Sequence, residues 1–206
     1  MPAPSDDRDR DVRPSAEARV SARRGWVELL ARRLSIVDQL REDRQCNEGL
    51  MAPGFQAVAA HRLSRWARDE AAAPGWVRRP VGGAAAVGQW VARAVYGIEI
   101  PGSVELGRRV TFAHQGGIVL HHATVVEDGV VLRQGVTIGL RGDEPQDAQV
   151  APRIGAGASL GAGAVIVGPI VVGEGAQVGA NAVVTRDVPD GGRAYAPRTV
   201  IEGPRA

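Results

Sequence analysis

The sequence predicts an α+β protein: a helical N-terminal half followed by a parallel β-helix built from six-residue units. Three observations predict it. Large apolar residues recur every six positions through the second half of the chain. Apolar residues in the first half recur near helical spacing. Composition changes near Tyr96: all four tryptophans (Trp26, Trp66, Trp76, Trp90) precede it and 20 of the 27 glycines follow it.

Taken in order, residues 1–24 are rich in Arg, Asp, Ser and Pro without periodicity, the composition of a disordered tail. Residues 25–96 are expected to form a helical domain. Trp26, Leu29, Leu30, Leu34, Ile36, Val37 and Leu40 predict a first helix from Trp26 to about Glu42. A second is predicted over 55–68, entered through Ala52-Pro53-Gly54, and a third over roughly Ala84 to Val95.

Residues 97–190 carry the repeat. Ile100, Leu106 and Phe112 stand six apart, as do Leu120, Val126, Leu132 and Ile138, and then Ile154, Leu160, Ile166, Val172, Val178 and Val184. A helix needs apolar recurrence every three to four residues and a strand every two. Period six suits short strands separated by turns, each strand placing one large side chain inward, stacked as a parallel β-helix. The frame breaks twice. The step from Phe112 to Leu120 is eight and contains His114-Gln115-Gly116-Gly117; the step from Ile138 to Ile154 is sixteen and holds a polar loop, 139–153. A solenoid does not need insertions, and insertions collect on binding faces. Residues 191–206 form a C-terminal tail.

Composition narrows the chemistry. All 25 Lys+Arg residues are Arg, which excludes a Schiff-base lysine and a phosphate-loop lysine. One cysteine, Cys46, excludes an intrachain disulfide and any multi-cysteine metal site. A formal charge of +2 gives no reason to expect a nucleic-acid partner. The uncharged stretch 154–173 is long enough to be tested as a membrane span, but its glycines follow the six-residue period, so no membrane partner is expected. The N-terminus lacks the apolar core of a secretory signal, and a cytoplasmic location is expected. His61, His121, His122 and Cys46 read as structural; adjacent histidines in an extended segment point apart and make a poor metal pair, so no metal is expected.

The six-residue frame, the setting Phe112-Ala113-His114-Gln115-Gly116-Gly117-Ile118-Val119 and the run Gln134-Gly135-Val136-Thr137-Ile138-Gly139 resemble serine O-acetyltransferases and their relatives. Pro53-Gly54-Phe55-Gln56-Ala57-Val58, with His61, Arg62 and Trp66, is similar to that family's N-terminal helical domain. The resemblance covers about residues 25–201. It implies a left-handed β-helix, a homotrimer or dimer of trimers with active sites between subunits, and acetyl-CoA as the acyl donor. The family's catalytic histidine falls on His114 and its carboxylate partner on Glu99. An alcohol is a poor nucleophile, neutral imidazole is the usual general base, and a carboxylate can stabilise the imidazolium. By position, Gly139, Ala162 and Ala180 match residues beside the pantetheine arm and Arg186 a basic residue near the phosphates, where arginine binds bidentately.

The acceptor contacts depart from the family. Ala113 replaces an Asp, and Val150 and Ala151 stand where the family has the Arg and His that contact serine. Asp38 is the counterpart of an N-terminal Asp that serves serine's amino group, and Arg141 or Arg153 is the candidate for a restored anion site. Near the C-terminus Tyr195 replaces a Gly close to the cofactor. The expected activity is acetyl transfer from acetyl-CoA to the hydroxyl of serine or another small hydroxylated metabolite. A sugar or specialised-metabolite O-acyltransferase is the alternative, and a non-catalytic β-helical scaffold is the reading from another class.

Overall fold

The computed structural model describes residues 35–140, 142 and 151–197. The predicted tail 1–24, the first helix before residue 35, Arg141, most of the inserted loop and the last nine residues lie outside them. Helix α1 spans Ile36–Cys46. Ser35 caps it: its Oγ accepts from the Asp38 N–H (3.2 Å) and donates to the Asp38 carboxylate (2.7 Å). Helix α2 (Pro53–Arg68) opens on Pro53, whose missing N–H costs nothing in the first turn.

Helix α3 runs over Gly75–Ala94, beginning nine residues before the predicted Ala84. Pro80, Gly82 and Gly83 lie inside the helix, which continues through them and meets α2 closely at two glycines, Gly82 and Gly88. A Cβ on Gly82 would lie 3.3 Å from the Ala67 Cβ, and one on Gly88 3.0 Å from the Ala60 Cβ.

Among the described residues fourteen short strands follow, β1 (Ile98–Glu99), β2 (Glu105–Leu106), β3 (Thr111–Ala113), β4 (Ile118–Leu120), β5 (Val125–Val126), β6 (Val131–Arg133), β7 (Thr137–Gly139), β8 (Arg153–Ile154), β9 (Ser159–Leu160), β10 (Val165–Val167), β11 (Val171–Val172), β12 (Gln177–Val178), β13 (Val183–Val184) and β14 (Arg193–Ala194), wound as a left-handed parallel β-helix with three faces. One face is β1-β4-β7-β10-β13, the second β11-β8-β5-β2 and the third β14-β12-β9-β6-β3. Ile154 pairs with Val172 and Leu160 with Val178, each 18 residues on, so a coil is three six-residue units. Ile98 pairs with Ile118 at 20, and Leu132 with Leu160 at 28. Both interruptions therefore leave the ladder in register.

All thirteen marked apolar residues are buried. The expectation of one inward side chain per unit needs correction: a second column two residues earlier is also buried, including Ile98, Val104, Val110, Ile118, Thr124, Val130 and Val136, then Ala158, Ala164, Ala176 and Ala182. Strand geometry sends positions i and i−2 to the same side.

The helices close the open end of the solenoid. Strands β1, β2 (Glu105–Leu106) and β3 (Thr111–Ala113) are edge strands with unpaired backbone groups. One face of α2 supplies donors to the first coil: Arg62 Nη1 to the Leu106 carbonyl (2.7 Å), Arg65 to Val104 (2.9 Å) and Arg68 to Gly102 (2.9 Å). Arg62 is buried and also pairs with Asp43 of α1 (2.8 Å).

Candidate active site

The site is built on the first corner after β3. The two-residue excess folds as a turn in which His114 takes φ +64°, followed by Gly116 at +110° and Gly117 at +67°. A non-glycine residue held left-handed costs on the order of 1 kcal/mol, and such strain concentrates at functional sites. Here it carries an exposed histidine.

Strand β3 is fixed from the helical side. Asn47, buried at the end of α1, donates from Nδ2 to the Val110 carbonyl (2.9 Å) and accepts at Oδ1 from the Phe112 N–H (2.8 Å). Gly54 lets α2 approach: a Cβ there would lie 2.5 Å from the Phe112 carbonyl oxygen. The result is a cleft of about 70 Å³ in which Asn47, Glu48, Gly54 and Gln115 share a wall with His114. Neither Asn47 nor Glu48 was a sequence-level candidate. An asparagine after a helix reads as a cap, and only the fold brings it to a strand 63 residues on.

Ala162 and Ala180 lie on the same corner as His114, further along the solenoid. The Gly135 N–H donates to Gly116 O, Gly163 to Gln134 O and Asn181 to Ala162 O, each at 2.8 Å. Gly139 and Arg186 lie on the opposite edge of the β1-β4-β7-β10-β13 face. Gly139 is level with Val167 and its carbonyl accepts from the Gly168 N–H (3.1 Å). A Cβ on Gly139 would meet nothing within 4 Å. Exposed Arg186 shares a cleft with Tyr195, whose ring covers Gly179; a Cβ there would be 2.7 Å from it.

Of the other candidates, Glu99 is not hydrogen-bonded to His114 among the described residues. It faces the Arg93 guanidinium at 3.5 Å, because α3 ends beside β1. The Asp38 carboxylate is spent in the first turn of α1, on Ser35 and on Arg41 (3.1 Å), and is not among the residues lining the His114 cleft. Arg153 is buried on the second face, where Nε donates to the Glu127 carboxylate (2.8 Å), so it is not free to serve an acceptor. Arg141 and Val150 fall outside the described residues.

The other histidines and the cysteine do not line the His114 cleft. Burial, reinforced by the charges of Arg62, Arg65 and Arg68, pushes His61 down to about 3. Burial pushes the Cys46 thiol up. The His121 and His122 rings lie 4.1 Å apart, tilted by 43°, and His121 Nδ1 accepts from the Ala123 N–H (3.3 Å). Among the described residues no three metal-binding side chains cluster, and no helix is long and apolar enough to cross a membrane.

Known proteins share this architecture. Residues 151–186 match the family model described as bacterial transferase hexapeptide (six repeats). A serine acetyltransferase of Synechococcus elongatus is 34% identical over 140 residues, 68% of this chain and 53% of that protein. The chain thus spans about half the length of that relative. "Putative colanic acid biosynthesis acetyltransferase WcaB" of Escherichia coli is 32% identical over 152 residues, 72% of this chain and 90% of that protein. Among solved structures, serine acetyltransferase from Brucella abortus in complex with coenzyme A superposes with a TM-score of 0.64 at 25% identity, over 88% of this chain and 69% of that one. With a left-handed solenoid of six-residue units behind a helical cap, and 90% of the Escherichia coli acetyltransferase matched at 32% identity, the chain belongs to the serine O-acetyltransferase-like hexapeptide-repeat acyltransferase family.

Proposed function

We propose that the chain is an O-acetyltransferase that moves the acetyl group of acetyl-CoA to the hydroxyl of a small acceptor, with His114 as general base. One observation carries the reading: the solenoid frame is broken to hold an exposed histidine in a left-handed backbone, at the head of a corner of small residues. His114 takes the acceptor's hydroxyl proton as its oxygen bonds to the acetyl carbonyl carbon. The C–S bond breaks, and the departing sulfur takes the proton from the imidazolium, which leaves the histidine neutral for the next turnover. Glu99 is the assigned carboxylate partner, a smaller role than that of His114 because its carboxylate also faces the Arg93 guanidinium.

Acetyl-CoA is assigned to the edges of the β1-β4-β7-β10-β13 face, along Gly139, Ala162 and Ala180 with Arg186 at the phosphates. The open space over Gly139 and the exposed guanidinium of Arg186 support that placement. The coenzyme A complex of the Brucella abortus neighbour supports acetyl-CoA as the donor. The assembly is proposed as a homotrimer or a dimer of trimers.

The test is release of free thiol from acetyl-CoA by the full chain across a panel of hydroxyl compounds, with melting midpoints measured with and without CoA. Acceptor-dependent thiol release and a midpoint raised by CoA are expected. No release with any acceptor, and no response to CoA, would mean a scaffold.

A further inference from the structure

A second opening lies at the junction of α3 with the first coil. It is a cavity of about 280 Å³, walled by Gln89, Trp90 and Arg93 of α3 and by the segment Ile98–Gly102, which includes Glu99. Trp90 is 66% exposed at its margin. What sets Trp90 apart from Trp76, exposed on the same helix, is its place at the cavity beside three polar side chains with planar end groups. The Arg93–Glu99 pair is open, at 3.5 Å, with both partners partly solvated.

These groups describe their ligand. An aromatic face next to a guanidinium, a carboxylate and an amide is complementary to a pyranose ring. One side of such a ring is a patch of C–H groups that rests on an indole, and its vicinal hydroxyls are spaced for two-point hydrogen bonding to Arg, Glu and Gln. The charges of Arg93 and Glu99 cancel, so the cavity favours a neutral polyhydroxyl compound over an anion. A small zwitterion such as an amino acid would satisfy the two charges and leave the indole and most of the volume unused. The segment that walls the cavity starts beside the histidine turn: a Cβ on Gly97, one residue before the wall, would lie 3.0 Å from the Gly117 nitrogen and 3.3 Å from the Gly116 Cα.

We propose that this cavity is a sugar-binding subsite that takes one pyranose ring of the acceptor, with Trp90 as its platform and Gln89, Arg93 and Glu99 as its hydroxyl partners. The acceptor role rests on the acetyltransferase reading; ring binding does not. Saturation-transfer NMR on the full chain without acetyl-CoA, using the methyl glycosides of glucose, galactose, mannose and fucose, separates the two. At least one glycoside is expected to receive saturation on its ring C–H protons. Trp90→Ala should weaken that binding about tenfold. Trp76→Ala, which removes an indole 79% exposed on the same helix but outside the cavity, should leave it unchanged. Melting curves establish that both variants are folded. No saturation of any glycoside, or equal loss in the two variants, overturns the subsite. With acetyl-CoA and the bound glycoside, Trp90→Ala should raise KM about tenfold with kcat little altered. Trp90-dependent binding without any acetyl transfer would sink the acetyltransferase reading and keep the subsite; glycoside acetylation indifferent to Trp90 would do the reverse.

Discussion

His61 and His114 show how one residue type is set to opposite uses. His114 is exposed on a strained turn, and as general base its loss should lower turnover by about two to four orders of magnitude, with CoA affinity little changed. Glu99→Gln should be milder. Steady-state rates with CoA binding measured alongside check both, and wild-type turnover in His114→Ala would remove the chemical assignment. His61 is fully buried and neither ring nitrogen has a well-formed hydrogen bond; the nearby Val104 carbonyl is already taken by Arg65. With its folded value pushed to about 3, below the ordinary 6.5, the unfolded chain binds the proton that the native one refuses. Stability from this group is therefore complete above about pH 6.5 and falls as pH drops toward 3. Between about pH 7 and pH 5 the loss is about 2 kcal/mol. Denaturant unfolding at the two pH values should show that difference in the native protein and not in His61→Met. An equal loss in both would mean that other groups carry the acid sensitivity.

At the scale of elements, the junction between α2 and the first coil is the critical seam. Arg62 holds a buried Asp43 while donating to the open edge of β2, so Arg62→Met leaves a buried carboxylate unpaired beside two carbonyls that lose their donor. The expected cost is about 3–5 kcal/mol, much of it recovered when Asp43→Leu is added. Denaturant melts of the single and double variants check this, and a cost under about 1 kcal/mol for the single variant would show that water replaces the guanidinium. The seam was invisible in the sequence, where Arg62, Arg65 and Arg68 carry no local sign of the carbonyls they meet on the first coil. The thirteen-residue apolar column was legible because each member is large and the period has no other explanation. Its companion column was not, because Ala158, Ala164, Ala176 and Thr124 are too small or too polar to stand out from the turns. The N-terminal half of α3 was hidden for the converse reason: Pro80, Gly82 and Gly83 resemble a loop, yet Gly82 lies against Ala67 of α2 inside a continuous helix. At the site, the break in period pointed to His114, but the partners of Glu99 and Arg153 depended on which elements meet in space. Arg93 and Glu127 carry no local sign of those roles.

At the scale of the whole molecule, assembly and substrate choice are linked, since the face bearing Glu99 also presents exposed Val119 and Val183 on parallel strands. A homotrimer or dimer of trimers should scatter light with three or six times the 21.6 kDa chain mass at micromolar concentration; a monomer there would remove the shared site. The acceptor follows from what this chain lacks. Ala113, Val150 and Ala151 replace the Asp, Arg and His of the resembling enzymes, and a guanidinium–carboxylate contact is worth about 1.5–3 kcal/mol, roughly ten- to a hundredfold in discrimination. Arg153 does not compensate, because its guanidinium is buried against Glu127 on another face of the solenoid. Asp38 does not supply the missing carboxylate either, since it is committed to the first turn of α1. Free L-serine should accordingly be a poor acceptor, with a compound offering several hydroxyls preferred. The measurement is a steady-state comparison of L-serine with other hydroxy amino acids, amino sugars and glycosides at fixed acetyl-CoA. Acetylation of free serine at about 10⁴ M⁻¹s⁻¹ or better would show that another group reads its carboxylate, with Arg93, already facing Glu99 beside the first coil, the residue to replace next.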